Sequence, residues 1–104
     1  MPADRDIPIA CDLTKLSREQ REREQALLAR FRMTARRRGA GENLEFSLPA
    51  DPHTLAELGE FLGLERLCCP FLTFDLRIEA AGDARLTISG PPGAREFVTS
   101  EFGG

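Results

Sequence analysis

The stretch TFDLRIEAAGDARLTIS, residues 73–89, decides the fold that this sequence predicts. Apolar side chains alternate with polar ones on both sides of a turn at residues 80–84, which is the pattern of two strands with one buried face. The apolar positions of the two strands are Phe74, Leu76, Ile78, Leu86 and Ile88. We therefore predict a β-hairpin that has one apolar face and one polar face.

The segment before the hairpin predicts a strand followed by a helix. Apolar and polar residues alternate over residues 44–48, as they do in a half-buried strand. Asp51 is a favourable N-cap and Pro52 suits the first helical position, so a helix begins here and extends toward residue 68. Pro70 then stops this helix, because the residue before a proline is pushed out of the helical conformation.

The first part of the chain predicts a strand, a long helix and a loop. Residues 7–11 alternate as in an edge strand or an extended lead-in. Ser17 and Gln20 form a capping-box pattern ahead of a helix that runs to about residue 35, and its charged first half is expected to project into water. The basic, glycine-containing residues 36–41 end this helix and are expected to form a loop.

Together with a short helix predicted over residues 94–102, these elements indicate an α+β fold. Strands with one polar face belong to a sheet that is open on one side and covered by helices on the other. We predict a two-layer sandwich with a small, mainly antiparallel sheet of three or four strands and with helices packed on one face. A chain of 104 residues fits a single domain, residues 1–104.

Composition excludes several classes of protein. No stretch approaches the roughly 18 consecutive apolar residues of a membrane span, and the charged N-terminus does not resemble a signal peptide, so we expect a cytoplasmic protein. Nine basic residues fall within residues 15–38, but interleaved glutamates and the lack of aromatic residues favour a solvated helix face over a nucleic-acid surface. With one histidine and no Trp or Tyr, the chemistry is left to thiols and carboxylates.

The segment ERLCCPF, residues 65–71, carries the chemistry that the sequence suggests. Cys68 and Cys69 stand side by side where the second helix ends, and a turn at Pro70 allows both sulfurs to face one point. Cys11, at another junction between elements, is the candidate third sulfur, and thiolates select soft metal ions over hard ones. The dipole at a helix C-terminus disfavours a thiolate unless a bound cation compensates it, which favours a metal site over a metal-free nucleophile.

Other residues are weaker candidates. His53 lies in the first turn of the second helix, far in sequence from the cysteines. Asp12 and Asp75 are candidates for a proton donor or an outer-shell partner of the site. The competing interpretation is that each is a capping or solvated residue. Phe71 and Phe74 are candidates for shielding the site from water. The simpler interpretation is that the cysteines fill the core, since cysteine outside disulfides is among the most buried residue types.

Several stretches of this chain resemble a family of small bacterial domains with a CCPF motif. They are Cys11-Asp12-Leu13, the segment ERLCCPFLTF at residues 65–74, the hairpin, Gly90-Pro91 and the closing helix. Members of the family occur alone or as C-terminal extensions of regulators similar to the mercury-responsive transcription factors. The resemblance covers most of the chain and implies a role in heavy-metal resistance, with Cys11, Cys68 and Cys69 as the metal-binding positions.

These observations lead to one expected function and two alternatives. We expect the protein to bind Hg(II), or else As(III), Cu(I), Cd(II), Pb(II) or Zn(II), through Cys68 and Cys69 with Cys11 as third ligand. The purpose would be sequestration, sensing or transfer to a metal-resistance or regulatory protein partner. The first alternative is a thiol enzyme, which cycles a disulfide or cleaves a carbon–metal bond. The second is a protein-interaction module whose cysteines belong to the core.

Overall fold

The structure of the protein, a computed structural model, describes residues 12–38 and 44–102. A short 3-10 helix over Leu13–Lys15 is followed by three α-helices and four strands. Their order is α1 (Arg18–Thr34), β1 (Arg36–Arg38), β2 (Leu44–Leu48), α2 (Pro52–Cys68), β3 (Thr73–Ile78), β4 (Ala84–Ser89) and α3 (Ala94–Phe102). This confirms the α+β prediction. The strand predicted at residues 7–11 lies outside the described residues.

The four strands form one antiparallel sheet in the order β1-β2-β4-β3. The predicted hairpin is confirmed, and its register places Phe74 opposite Ile88 and Leu76 opposite Leu86. β2 joins the other side of β4, with Phe46 opposite Leu86. Because directly opposite residues of an antiparallel pair share a face, these apolar residues form one continuous core face.

The helices pack on this core face and leave the other face of the sheet polar. The buried apolar side chains that the sheet contributes are Leu44, Phe46, Leu48, Ala84, Leu86 and Ile88. Phe31 of α1 joins the layers, because its ring centroid lies 5.1 Å from that of Phe46, 5.5 Å from that of Phe61 and 5.7 Å from that of Phe102. Aromatic pairs at these distances contribute beyond the area that they bury.

Local signals in the sequence set the starts of both long helices. Ser17 and Gln20 form the reciprocal capping box at the start of α1. The Asp51 side chain accepts the backbone N–H of Thr54, and Pro52 occupies the first turn of α2. α2 then runs to Cys68, as predicted. The capping residues therefore set where α2 begins, and this helix ends at Cys68, beside Cys69.

In the first half of the chain, one expectation is wrong and another holds with one exception. Residues Arg36–Arg38, expected as part of a loop, form the edge strand β1, because their backbone pairs with that of β2 while the side chains stay exposed. The charged first half of α1 does not project entirely into water, because Glu24 is only 3% exposed. Glu24 shares one helix face with Leu27, Leu28 and Phe31, so the packing of that face buries it as well.

Candidate metal centre

Three potential metal-ligating side chains meet at the C-terminal end of α2. The Cys68 and Cys69 sulfurs lie 3.8 Å apart. One Glu65 oxygen lies 3.9 Å from the Cys68 sulfur, and the other lies 3.8 Å from the Cys69 sulfur. One ligand atom from each of the three residues falls within 4.8 Å of the others. The carboxyl group therefore bridges the two sulfurs, which are too far apart for a disulfide bond between them.

The way α2 ends explains why two adjacent thiols face one point. Glu65 and Cys68 are three residues apart and so share a face of the helix. Cys69 is the C-cap, and its dihedral angles of φ −126° and ψ 65° are no longer helical, although its N–H still donates to the Glu65 carbonyl. Pro70 has no N–H to continue the helix. The departure of Cys69 from helical geometry turns its sulfur toward the same carboxyl that Cys68 reaches.

The cluster lies inside the protein. The exposed fraction is 0% for Cys68, 1% for Cys69 and 3% for Glu65. Phe71, which follows at once, packs edge-to-face against Phe97 with ring centroids 5.1 Å apart. Phe71 is thus part of the core beside the cysteine segment, and its expected role in excluding water stays a prediction. An ion or reactant reaches the sulfurs only when the surrounding side chains or the end of α2 move.

The electrostatics of the cluster are unusual because two carboxyl groups meet in the interior. Burial raises the pKa of Glu65 to about 10. A hydrogen bond with Glu24 and charge interactions with Cys68 and Glu24 contribute to the same upward shift of the Glu65 pKa, whereas the hydrogen bond with Cys69 opposes it. Glu24 in turn accepts a hydrogen bond from the Gln25 side chain at 3.1 Å. Glu65 is therefore protonated and neutral at neutral pH.

The start of the described chain lies against the same helix end. The backbone N–H of Asp12 donates to the Cys68 carbonyl at 2.8 Å. The Asp12 side chain caps the short 3-10 helix through Thr14, and these hydrogen bonds lower the pKa of the Asp12 carboxyl. Asp12 thus has a capping role, which is one of the two alternatives expected for it. Cys11, the predicted third ligand, lies outside the described residues.

The remaining sequence candidates lie away from the cluster. His53 is exposed at the opposite end of α2, where its ring lies 3.6 Å from the Glu57 carboxylate. About fifteen helical residues, or about 22 Å, separate it from Cys68. Asp75 is exposed on β3, opposite Thr87, on the polar face of the sheet. Neither residue joins the group formed by the two thiols and Glu65.

Two carboxyl residues of the site were missed as candidates in the sequence. Glu65 precedes the cysteines by three and four positions, and this helical spacing was the available signal. Glu24 precedes Leu27, Leu28 and Phe31 at intervals of three, four and seven residues, which places it on the buried face of α1. In both cases the spacing indicates burial, but it does not indicate that the two carboxyl groups meet.

Comparison with known proteins adds no relative. No family model, no curated protein and no solved structure matches this chain. The resemblance to the CCPF domains therefore stays a prediction. Within residues 12–38 and 44–102, no helix is long and apolar enough to cross a membrane.

Proposed function

We propose that this protein binds a soft thiophilic metal ion through Cys68 and Cys69, with Hg(II) as the favoured ion. The observation that carries the proposal is the pair of buried sulfurs 3.8 Å apart, bridged by one carboxyl group. Two adjacent thiols at a helix end are seldom required for packing alone. Thiolate ligands select soft ions such as Hg(II), Cu(I) and Cd(II) over Mg(II) or Ca(II).

The spacing of the sulfurs favours an ion with more than two ligands. Metal–sulfur bonds of about 2.3 Å to two sulfurs 3.8 Å apart enclose an angle of about 110° at the metal. A linear ion would need the sulfurs about 4.6 Å apart at the same bond length. A third ligand is therefore part of the proposal, and Cys11 is our choice because it directly precedes Asp12, whose N–H binds the Cys68 carbonyl.

Charge also supports a bound cation. Two thiolates buried at the C-terminal end of α2 would stand in an apolar interior and beside the negative end of the helix dipole. A divalent or trivalent cation supplies the missing positive charge and displaces the thiol protons. We therefore expect the thiols to stay protonated without metal and to lose their protons when the ion binds.

One observation favours a second candidate, a lyase that cleaves a carbon–metal bond. A neutral carboxyl group lies within 3.9 Å of both sulfurs, beside the position of an organometallic cation held by the thiolates. The carboxyl proton would pass to the carbon, and the electron pair of the carbon–metal bond would form the new C–H bond. The products would be a hydrocarbon, a carboxylate and an ion held by two thiolates.

Native mass spectrometry of the reduced protein tests the binding proposal. With one equivalent of Hg(II), As(III), Zn(II) or Cu(I) in separate samples, we expect one bound ion and the loss of two or three protons. Cys68→Ser and Cys69→Ser should each abolish the adduct, and Cys11→Ser shows whether a third proton is lost. Val98→Ala is the matched control, because it alters the buried core and leaves every thiol in place. Unchanged binding in both cysteine variants would refute the site.

Turnover separates the two candidate functions. Reduced protein is incubated with a tenfold excess of phenylmercury and a competing thiol, and benzene is measured by gas chromatography. A binder stops at a fixed stoichiometry, whereas a lyase continues to release benzene. Glu65→Gln keeps the shape of the side chain but removes the acidic proton, so the variant should still hold the ion through its thiols but should release no benzene.

A further inference from the structure

The two edges of the sheet differ in how they are protected. β1 ends the sheet on one side and carries three exposed arginines, Arg36–Arg38, and such charges prevent an edge strand from pairing with another chain. β3 ends the sheet on the other side, and its outer edge pairs with no other strand among the described residues. Its sequence TFDLRI carries no proline and contains charges of both signs.

β3 also exposes apolar side chains on the core face. Leu76 lies opposite buried Leu86, and Ile78 lies opposite buried Ala84, so both belong to the face that the helices cover elsewhere. Yet Leu76 is 41% exposed and Ile78 is 54% exposed. The helices pack over β2 and β4 rather than over the far end of β3. The edge strand therefore presents an apolar strip next to backbone groups that no strand within residues 12–38 and 44–102 pairs with.

We propose that β3 pairs antiparallel with β3 of a second copy of this chain, about a two-fold axis at Leu76. In this register Leu76 lies opposite Leu76 of the partner subunit, and Phe74 lies opposite Ile78 of the partner subunit. On the polar face, Asp75 lies opposite Arg77 of the partner subunit, and the symmetry repeats this pair. The two sheets become one continuous sheet of eight strands, with an isologous contact at its centre.

The β3 sequence selects this register over its neighbours. A two-fold axis at Asp75 would place two aspartates directly opposite each other, and an axis at Arg77 would do the same with two arginines. A shift of one residue would place Leu76 opposite a charged residue and bring apolar and polar side chains onto one face. Among registers whose pairs all lie within Thr73–Ile78, the axis at Leu76 is the one that pairs apolar with apolar side chains and also joins opposite charges.

The contacts within one chain supply a further electrostatic reason. Arg77 and Arg85 lie directly opposite each other in β3 and β4, and like charges in such a pair repel. The Arg77 guanidinium lies 3.0 Å from the Glu79 carboxylate, and both side chains are exposed. Asp75 of the partner subunit would add a second negative charge beside the two arginines. Pairing of the edges thus reduces a repulsion that the single chain contains.

Sedimentation equilibrium tests the proposal on the full chain in reducing, metal-free buffer, from low micromolar to near-millimolar concentration. We expect a reversible dimer whose Kd rises at least about tenfold in Asp75→Arg and in Arg77→Asp, because each change turns two attractive pairs into repulsive ones. The double variant D75R/R77D exchanges the charges and should restore the dimer. Asp83→Arg in the hairpin turn is the control and should leave the Kd unchanged.

Three results would overturn the proposal. They are a monomer at every concentration, a dimer whose Kd changes in neither single variant, and a double variant that dimerises as weakly as the single variants. Far-UV circular dichroism confirms that each variant is folded. The recovery expected of the double variant also excludes misfolding as the cause of the loss. The dimer should form equally well in Cys68→Ser, since the proposed contact does not involve the thiols.

Discussion

The two ends of α2 hold their ionisable side chains in opposite environments, one exposed to water and one buried. At the first turn, Asp51 accepts the Thr54 N–H at 2.9 Å and lies exposed to water. At the last turn, Glu65 and Cys68 are buried at the negative end of the helix dipole, where anionic groups are disfavoured. The first end contributes stability by an ordinary cap. The last end holds ionisable groups where their charged forms are disfavoured, and this difference supports the metal site that we propose there.

Two glutamates of α2, Glu60 and Glu65, differ in the direction in which the protein shifts their pKa. Glu60 lies on the surface, where two hydrogen bonds from Arg23 at 2.8 Å lower its pKa. Glu65, five residues later, has a raised pKa because it is buried and meets Glu24 instead of a cation. Glu60 on the surface of α2 thus pairs with an arginine, whereas the buried Glu65 lies against another acid and two thiols.

The largest effect should come from removing both thiols. Cys68→Ser/Cys69→Ser should weaken Hg(II) binding by well over about a hundredfold, because loss of a supporting outer-shell partner alone weakens metal sites by about 10–100-fold. Competition titration against a small dithiol measures the affinity. His53→Ala, at the other end of α2, is the control and should change the affinity less than about twofold. If both changes weakened Hg(II) binding equally, the two ends of α2 would not differ in their role in metal binding.

The second effect concerns pH. The folded pKa of Glu65, about 10, lies above its ordinary value of 4.5, so the folded state binds more protons than the unfolded state between these values. Stability should therefore fall as pH rises from 5.5 to 7.5, with a slope of up to about 1.4 kcal/mol per pH unit for one proton. Urea unfolding at several pH values measures the slope, which Glu65→Gln should flatten.

Glu60→Gln provides the matched control for this experiment. The pKa of Glu60 is lowered, so the stability that it contributes is present above its unfolded pKa and is lost only as pH falls through the folded one. Its replacement should leave the slope between pH 5.5 and 7.5 unchanged. A slope in Glu65→Gln as steep as that of wild type would show that Glu65 does not take up a proton on folding in this pH range.

Much of the fold was predictable because local signals and periodicity agree. The capping box at Ser17, the Asp51-Pro52 start and the alternation on both sides of the hairpin each determine an element without help from distant residues. Arg36–Arg38 was not predictable in this way. Three consecutive arginines have no strand periodicity, and they form β1 because the open edge of β2 requires backbone partners.

The candidate site was predictable only in part. The proximity of the Cys68 and Cys69 sulfurs agrees with the inference from Pro70, since a broken helix end is a local feature. The partnership of Glu24 with Glu65 depends on how α1 packs against α2, and no local pattern encodes it. The sequence thus indicated where the thiols meet, but it did not indicate the carboxyl groups that surround them.

Asp51→Ala should have the next largest effect, at the conventional end of α2. The loss of the hydrogen bond to the Thr54 N–H should lower Tm by about 4–8 °C for a domain of this size. Because this hydrogen bond lowers the pKa of Asp51, the difference from wild type should shrink as pH falls below 3.8. Thermal unfolding followed by circular dichroism measures both, and Ala substitution of Asp83 serves as the surface control.

The smallest effect should come from two glycines within α2, Gly59 and Gly63. Both are exposed, and a Cβ atom added at either position meets nothing within 4 Å. Gly59→Ala and Gly63→Ala should therefore each stabilise the protein by about 0.5–1 kcal/mol in urea unfolding. A destabilised variant would contradict the open space at that position.

The same two variants test how an ion reaches buried sulfurs. Gly63 lies within two turns of Cys68, whereas Gly59 lies a further turn away. If the last turns of α2 open to admit the ion, Gly63→Ala should slow Hg(II) uptake in stopped-flow absorbance more than Gly59→Ala does, at equal gain in stability. Equal rates in the two variants would place the entrance elsewhere. Slower uptake in Gly63→Ala would instead show that the last turns of α2 open to admit the ion, because the added alanine stabilises those turns in their helical form.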